Sequence, residues 1–510
     1  MLDATPFLKL YATRRARALA ELDGVESQRR ILLRLLRTAR ATRFGEDHGF
    51  RTIGSIEDYQ AAVPLRDYDR FRADYWGDTF PRLSDCTWPG TIPFFAESSG
   101  TTTGITKYIP CSRQMVRANV RAAMDVLVHH LQARPDSHVF GGKNFMLGGS
   151  TGLTDLTPGV RTGDLSGIAM VTKPLWARPW FFPPRSIDAI DDWEERLEVM
   201  VGALQGLDVR SMSGTPSWLL VLFDRLADRR PDLGHAIAAH FPKLELIIHG
   251  GVNFEPYRAT YAERLSGSDI QTREVYPASE GFIAVADRGD GEGMRLTPDN
   301  DLFFEFVPVE ELESDRPTRH WFGNVETGVD YALVLTTCSG LWSYVIGDTV
   351  RLVDTDPARV LVTGRTSYML SAFGEHLIDE EIEVAVAKAA AQCGATVREY
   401  SVGPIFPKAA GDRGRHLYIV ELEDDAPAVD RDGRFGALID DDLQATNLDY
   451  HAYRSGERGL LDPPTITIVP PGTFYEWMKA RGKLGGQNKV PRVISDPEMF
   501  EELRAFVESR

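Results

Sequence analysis

The sequence predicts an α/β protein in two unequal parts: a large N-terminal body of β-sheets flanked by helices, then a small, mobile α+β C-terminal domain. Three observations carry this. Arginines and leucines interleave at helical spacing through residues 8–43. From Val275 the texture changes to short apolar strands, the last of them "RVLVTGR" at Arg359–Arg365. Past Arg365 a helix pattern and then a strand pattern begin again, as at the start of a second core. At 510 residues the chain is also too long for one ordinary core. We therefore expect a body over 1–363, a hinge at 364–367 and a mobile domain over 368–510.

The elements follow in order. Cys111–Leu131 reads as one helix with Ser112 as its N-cap, because Met115, Val116, Val120, Ala123, Met124, Leu127 and Leu131 fall on one stripe. "SWLLVLFDRLADRRP" (Ser217–Pro231) is a second helix, and "LELIIHGG" (Leu244–Gly251) a short buried strand ending in paired glycines. Leu302–Val309, Tyr331–Thr337 and Tyr344–Val353 read as strands, with Asp348 in a glycine-preceded turn between strands. In the second part, a helix capped by Asp379 runs to Gly394, and "HLYIVELE" (His416–Glu423) is a strand. No internal repeat is visible.

Composition narrows the function. The chain is 43% hydrophobic and 26% charged, as globular proteins are, and its net charge of −17 opposes a nucleic-acid surface. Arg14, Arg15, Arg17, Arg29, Arg30, Arg34, Arg37 and Arg40 read as a solvated helix face. Cys86, Cys111, Cys338 and Cys393 lack zinc or redox spacing and read as reduced thiols. Arginines break up the N-terminal apolar pattern, and the longest apolar run, Trp218–Phe223, is far too short to cross a bilayer. A cytoplasmic protein with no membrane partner is the expectation.

The chemistry is carried by "FFAESSGTTTGITKYIP" (Phe94–Pro110). Such a stretch offers hydroxyls and bare backbone amides, which bind phosphate oxygens, and Lys107 adds a positive charge. It lacks the spacing of a Walker loop or a dinucleotide fingerprint, and a surface linker has a similar composition. Four further segments bear on it: "EVYPASEGFIAV" with Tyr276, Ser279 and Glu280; "YVIGDTVRLV" with Asp348; "VTGRTSYMLSAFGEHLIDEEIE" with Gly364, Arg365 and Gly374; and "GGQNKVPR" with Lys489. Each alone is a plausible turn, surface acid or solvated lysine.

Their order resembles the adenylate-forming superfamily, and within it the acyl-acid amido synthetases of the auxin-responsive-promoter family. "FFAESSGTTTGITKYIP" is close to that family's Ser-Ser-Gly-Thr loop, and "GGQNKVPR" is similar to its Asn-Gln-x-Lys-x-Pro-Arg ending. The resemblance runs from about Leu8 to Arg492. It implies that Ser98, Ser99, Gly100, Thr101, Thr102 and Lys107 hold ATP phosphates and that Ser279 contacts the α-phosphate. It implies Glu280 as the Mg²⁺ ligand, Asp348 on the ribose with Arg365 nearby, and Tyr276, Gly250 and Gly251 beside the adenine. Lys489 would bridge phosphate and carboxylate. Gly374-Glu375 departs toward the wider superfamily, and the acyl pocket, expected from "GGKNFMLGGSTG" and "LSGIAMVTKPLWARPWFF", matches no known acid.

The implied reaction joins a carboxylic acid to an amino acid through an acyl adenylate, with ATP and Mg²⁺ as cofactors. A carboxylate needs such activation because oxide is not a competent leaving group, whereas AMP is. A coenzyme A ligase forming a thioester and a non-catalytic scaffold relative are the alternatives.

Overall fold

The computed structural model describes residues 2–510 apart from 99–105, 149–151, 174, 191, 252, 253, 255, 256, 290, 313, 367–369, 371–376, 378, 407–412, 424–432, 456–460, 485–488 and 495. The fold is mixed α/β, as expected, with the larger sheets before Arg365 and a separate three-stranded sheet after it.

The main sheet has twelve strands among the described residues. One half is parallel: Phe181–Phe182, Lys143–Met146, Val209–Gly214, Leu246–Gly250 and Gln271–Ala278 are neighbours in that order. The other half is antiparallel and runs from Gly281–Val285 through Met294–Leu296, Ala358–Arg365, Tyr344–Thr355, Asp330–Thr337 and Leu302–Pro308 to His320–Trp321. Gln271–Ala278 is the junction, parallel to one neighbour and antiparallel to the other. Strands buried on both faces read as continuous apolar runs, and Leu302–Pro308 is buried at every position.

A second sheet of four strands pairs Phe94–Ser98 with Lys107–Cys111 as a hairpin. The hydroxyl-rich stretch therefore returns as a strand before the next helix begins, an element the sequence pattern did not show. That helix spans Arg113–Ala133, and Ser112 caps it by accepting from the Met115 amide at 3.0 Å. The N-terminal arginines lie outward on the helices Thr5–Ala20 and Gly24–Ala39, with one exception. Arg15 is mostly buried and pairs with Asp125 at 2.7 Å and Asp299 at 2.6 Å, tying the first helix to the body.

The C-terminal sheet takes Val397–Ile405, Arg415–Leu422 and Thr465–Val469 in that order. Helices Asp379–Gln392 and Arg434–Thr446 contribute to one core of this part, around Ile382, Tyr400 and Leu443. Thr473–Ala480 and Pro497–Glu508 contribute to another, around Trp477 and Phe500. Asp379 is the first residue of its helix rather than the cap before it, and its Oδ1 is buried with no hydrogen-bond partner among the described residues. The glycine stop stands: Gly394 is left-handed, with φ +68°. All four cysteines are free, three of them buried. No helix among the described residues is long and apolar enough to cross a membrane.

Candidate active site

A cavity of about 780 Å³ opens where the junction strand, the adjoining antiparallel strands and the C-terminal part meet. Ser98, Lys107, Gly251, Tyr276, Ser279, Glu280, Asp348, Arg365 and Lys489 all line it. Residues up to 391 positions apart in sequence thus share one wall. Gly250 lies at the strand end just behind. Ser99, Gly100, Thr101, Thr102 and Gly374-Glu375 lie outside the described residues, and so does Ser367 of the expected hinge.

One edge of the cavity is built by the hairpin, where Ser98 pairs with Lys107 across the ladder. Thr162 Oγ1 donates to the Phe95 carbonyl at 3.1 Å, and the Tyr108 amide donates to the Tyr68 hydroxyl at 3.0 Å. The hairpin base is held on both sides. Lys107 Nζ sits 5.7 Å from the centre of the Tyr68 ring, a cation–π distance, and both residues line the cavity.

Asp348 corrects an expectation. It lies inside the strand Tyr344–Thr355, not in a turn between strands. Opposite it the register slips, so that Val345 and Thr349 pair with Val334 and Ala332, which crowds extra residues into a bulge. Gly347 supplies the φ of +90° that the bulge requires. The bulge turns the carboxylate toward the cavity, where two donors fix it. The Tyr276 hydroxyl donates to Oδ2 at 2.5 Å and Arg365 Nε to Oδ1 at 2.8 Å. Burial and the Asp348 charge hold the Tyr276 phenol well above its usual range, so it stays a donor.

Ser279 and Glu280 form the turn between the junction strand and Gly281–Val285. Burial, joined by the nearby Asp348 charge, pushes the Glu280 carboxyl up to about 7. Such a carboxyl gains from a cation placed beside it. The chemistry suits Mg²⁺, which is commonly held by one or two carboxylates together with substrate phosphates rather than by a protein cage. No cluster of three metal-ligating side chains is present among the described residues.

Lys489 enters from the C-terminal part and donates to the Gly251 carbonyl. Burial, reinforced by the Arg365 charge, lowers its ammonium to about 8. The strand end that receives it is compact. A Cβ on Gly250 would lie 2.1 Å from the Val275 carbonyl oxygen, so glycine alone fits. Behind it His249 is buried and stacks on Phe254 at 3.8 Å between ring centres.

Several lining residues escaped the sequence reading: Tyr257, Arg258, Glu383, Glu399 and Arg492. Arg492 stood within a quoted motif and received no role; the others carry no local signal. Among the described residues, none of 141–148, 152, 165–173 and 177–182 lines this cavity; 149–151 and 174 lie outside the described residues.

The architecture is that of adenylate-forming ligases in fold. An acyl acid amido synthetase solved in complex with 2,4-DB superposes with a TM-score of 0.80 at 17% identity, covering 96% of this chain and 95% of that one. A 2-hydroxyisobutyryl-CoA ligase in its postadenylation state gives 0.59 at 16%, covering 94% and 92%. Family models match in sequence order: the GH3 family N-terminal domain over 20–240, the central domain over 296–365 and the C-terminal domain over 380–498. The chain belongs to the GH3 family. An indole-3-acetic acid-amido synthetase of Oryza sativa subsp. indica is 31% identical over 218 residues, 41% of this chain and 36% of that protein. The match thus spans little more than a third of that relative's length.

Proposed function

We propose that this protein is an ATP-dependent acyl-acid amido synthetase. A carboxylate attacks the α-phosphorus of ATP, pyrophosphate leaves, and an acyl adenylate forms. The amine of an amino acid then attacks the acyl carbon, giving an amide and releasing AMP and a proton. The observation that carries this reading is the convergence of Lys489 with Glu280, Asp348 and Tyr276 on one cavity.

In this reading Asp348, fixed by Tyr276 and Arg365, takes the ribose hydroxyls. The hairpin with Ser98 and Lys107, continued through Ser99, Gly100, Thr101 and Thr102, holds the phosphates, and Ser279 meets the α-phosphate. Glu280 holds Mg²⁺, which would neutralise charge on the phosphates. Lys489 follows the negative charge that gathers as the carboxylate attacks, then leaves with the C-terminal part for amide formation. The hinge is placed at 364–367, and the ending of the central-domain match at Arg365 supports that boundary. Free cysteines suit a reducing, cytoplasmic setting.

The test is acid-dependent pyrophosphate exchange across a panel of carboxylic acids, then product masses with amino acids and coenzyme A offered together. An N-acyl amino acid is the expected product. A thioester with no amide moves the protein to the ligase reading that the 2-hydroxyisobutyryl-CoA ligase fold supports. Absence of exchange with every acid, with ATP bound or not, favours a non-catalytic role.

A further inference from the structure

Two of the contacts between the body and the C-terminal part fall on one short connection. Gly251, Phe254 and Tyr257 follow the strand Leu246–Gly250, and this connection receives Lys489 at Gly251 and Arg492 at Tyr257. The two basic residues are separated by Val490 and Pro491 alone. Sequence motifs single out the lysine; the structure gives the arginine more partners.

The Arg492 guanidinium touches three elements at once. It pairs with Glu383 on the helix Asp379–Gln392, its Nε lies 3.3 Å from Glu399 Oε1 on the strand Val397–Ile405, and its NH2 donates to the Tyr257 hydroxyl at 3.1 Å. Tyr257 in turn donates to Glu399 Oε2 at 3.2 Å, closing a ring of contacts across the boundary. The guanidinium also lies 5.5 Å from the Tyr257 ring centre and 5.3 Å from that of Tyr400. Side-chain exposure is 13% for Arg492 and 5% for Glu383, so water screens these contacts poorly. A lysine could not reproduce this pattern, since three directed donors are used together.

The backbone beneath is equally fixed. Ser401 Oγ donates to the Pro491 carbonyl at 2.7 Å, the Val402 amide to the Arg492 carbonyl at 2.7 Å, and the Ile494 amide to the Val402 carbonyl at 2.8 Å. The segment therefore belongs to the C-terminal sheet. On the other side Tyr257 is packed in the body core with Trp218 and Phe254. The Arg492–Tyr257 contact joins two rigid pieces, each of which carries half of the Lys489–Gly251 contact.

We propose that Arg492 is a positioning residue: by gripping Tyr257 it sets the register in which Lys489 reaches the nucleotide side of the cavity. It acts on the adenylation half of the reaction proposed above and rests on that reading. The contact should form for adenylation and break when the C-terminal part turns for amide formation. Other contacts cross the same boundary, among them Lys479 and Tyr475 with Glu194, Arg398 with Asp224 and Arg351 with Glu380; their charged groups are more exposed than Arg492 and Glu383 and contribute less to the choice of state.

The test uses Tyr257→Phe, which removes one hydroxyl, with Arg492→Met, Arg492→Lys and the double variant Tyr257→Phe/Arg492→Met. Pyrophosphate exchange with an active acid should fall about tenfold in each single variant. The double variant should be no worse than about twofold below either, because both remove the same contact. Amide formation from a supplied acyl adenylate should stay within about twofold of wild type, and Lys479→Ala should cost less than about fivefold in exchange. Arg492→Lys should remain impaired.

A second readout does not depend on activity. Spin labels at D228C and A505C, in a C393S background, report the distance between body and C-terminal part. Tyr257→Phe should broaden or lengthen that distance relative to the parent. Wild-type exchange and an unchanged distance in Tyr257→Phe would overturn the proposal, as would equal losses in both half-reactions or full rescue by Arg492→Lys. If the parent protein adenylates no acid, the proposed reaction falls, and the distances still decide whether Arg492 sets the docked state.

Discussion

Lys489 should give adenylation an alkaline limit. In water a lysine ammonium loses its proton near 10.5; here burial and the Arg365 charge bring it to about 8. The sign follows from the role proposed: the charged form assists attack on phosphorus, so activity is present below that value and lost as pH rises through it. At pH 7 about nine-tenths of the free enzyme carries the charge, and at pH 9 about one-tenth does. The kcat/KM for ATP in pyrophosphate exchange should therefore fall about tenfold per pH unit above pH ~8. Exchange needs no amine acceptor, so the acceptor's own ammonium does not contribute. Bound ATP adds negative charge and raises the lysine again, so the limit in kcat should lie at higher pH than that in kcat/KM. Lys489→Arg keeps a charge at every accessible pH. It should be slower throughout, because a planar fork fits the Gly251 side poorly, yet its profile should be flat from pH 8 to about pH 10. A limit near pH 8 that persists in Lys489→Arg would refute the assignment, as would a flat wild-type profile.

Glu280→Gln should cut acid-dependent exchange by at least about a hundredfold, since a charge clamp in the transition state commonly contributes that much. Its thermal midpoint should hold or rise, because the variant no longer buries a carboxylate; near-normal exchange would remove Glu280 from the mechanism. Asp348→Asn should weaken AMP binding by about ten- to a hundredfold in calorimetry, the range of one charge-assisted hydrogen bond, and unchanged affinity would take the ribose away from it. Gly250→Ala drives a methyl against the Val275 carbonyl and should lower the stability of the body by about 3 kcal/mol or more in denaturant titration. An unchanged midpoint would show that the strand end yields freely.

The two-part α/β organisation is legible in the sequence because apolar runs and breakers report local periodicity directly. Ser98, Lys107, Glu280, Asp348 and Lys489 stand out for a related reason: hydroxyl, glycine, carboxylate and lysine at motif spacing are poor core formers. What was hidden depends on pairing between distant strands. Asp348 looks like a turn residue because Gly347 precedes it, yet the glycine serves a bulge whose existence is set by the partner strand Asp330–Thr337. Phe94–Ser98 and Lys107–Cys111 are too short to announce a hairpin around a polar stretch. Thr366 is another case, since its amide donates to the Gly347 carbonyl at 2.7 Å. A proline there would delete a hydrogen bond as well as stiffen the chain, so it is a poor probe of hinge motion. Arg492 and Tyr257 become partners only once the C-terminal sheet is seated on the body.

The three-stranded C-terminal sheet has its own apolar clusters, one around Tyr400 and Leu443 and another around Trp477 and Phe500. Such packing gives this unit cores of its own, and the peptide link to the body acts as a leash. A short leash holds its cargo at an effective concentration in the millimolar range. Severed there and mixed as two polypeptides, the halves should reconstitute adenylation in a concentration-dependent way, whereas the intact chain's activity per molecule should not depend on concentration. The covalent connection would then matter for encounter frequency more than for the shape of either half.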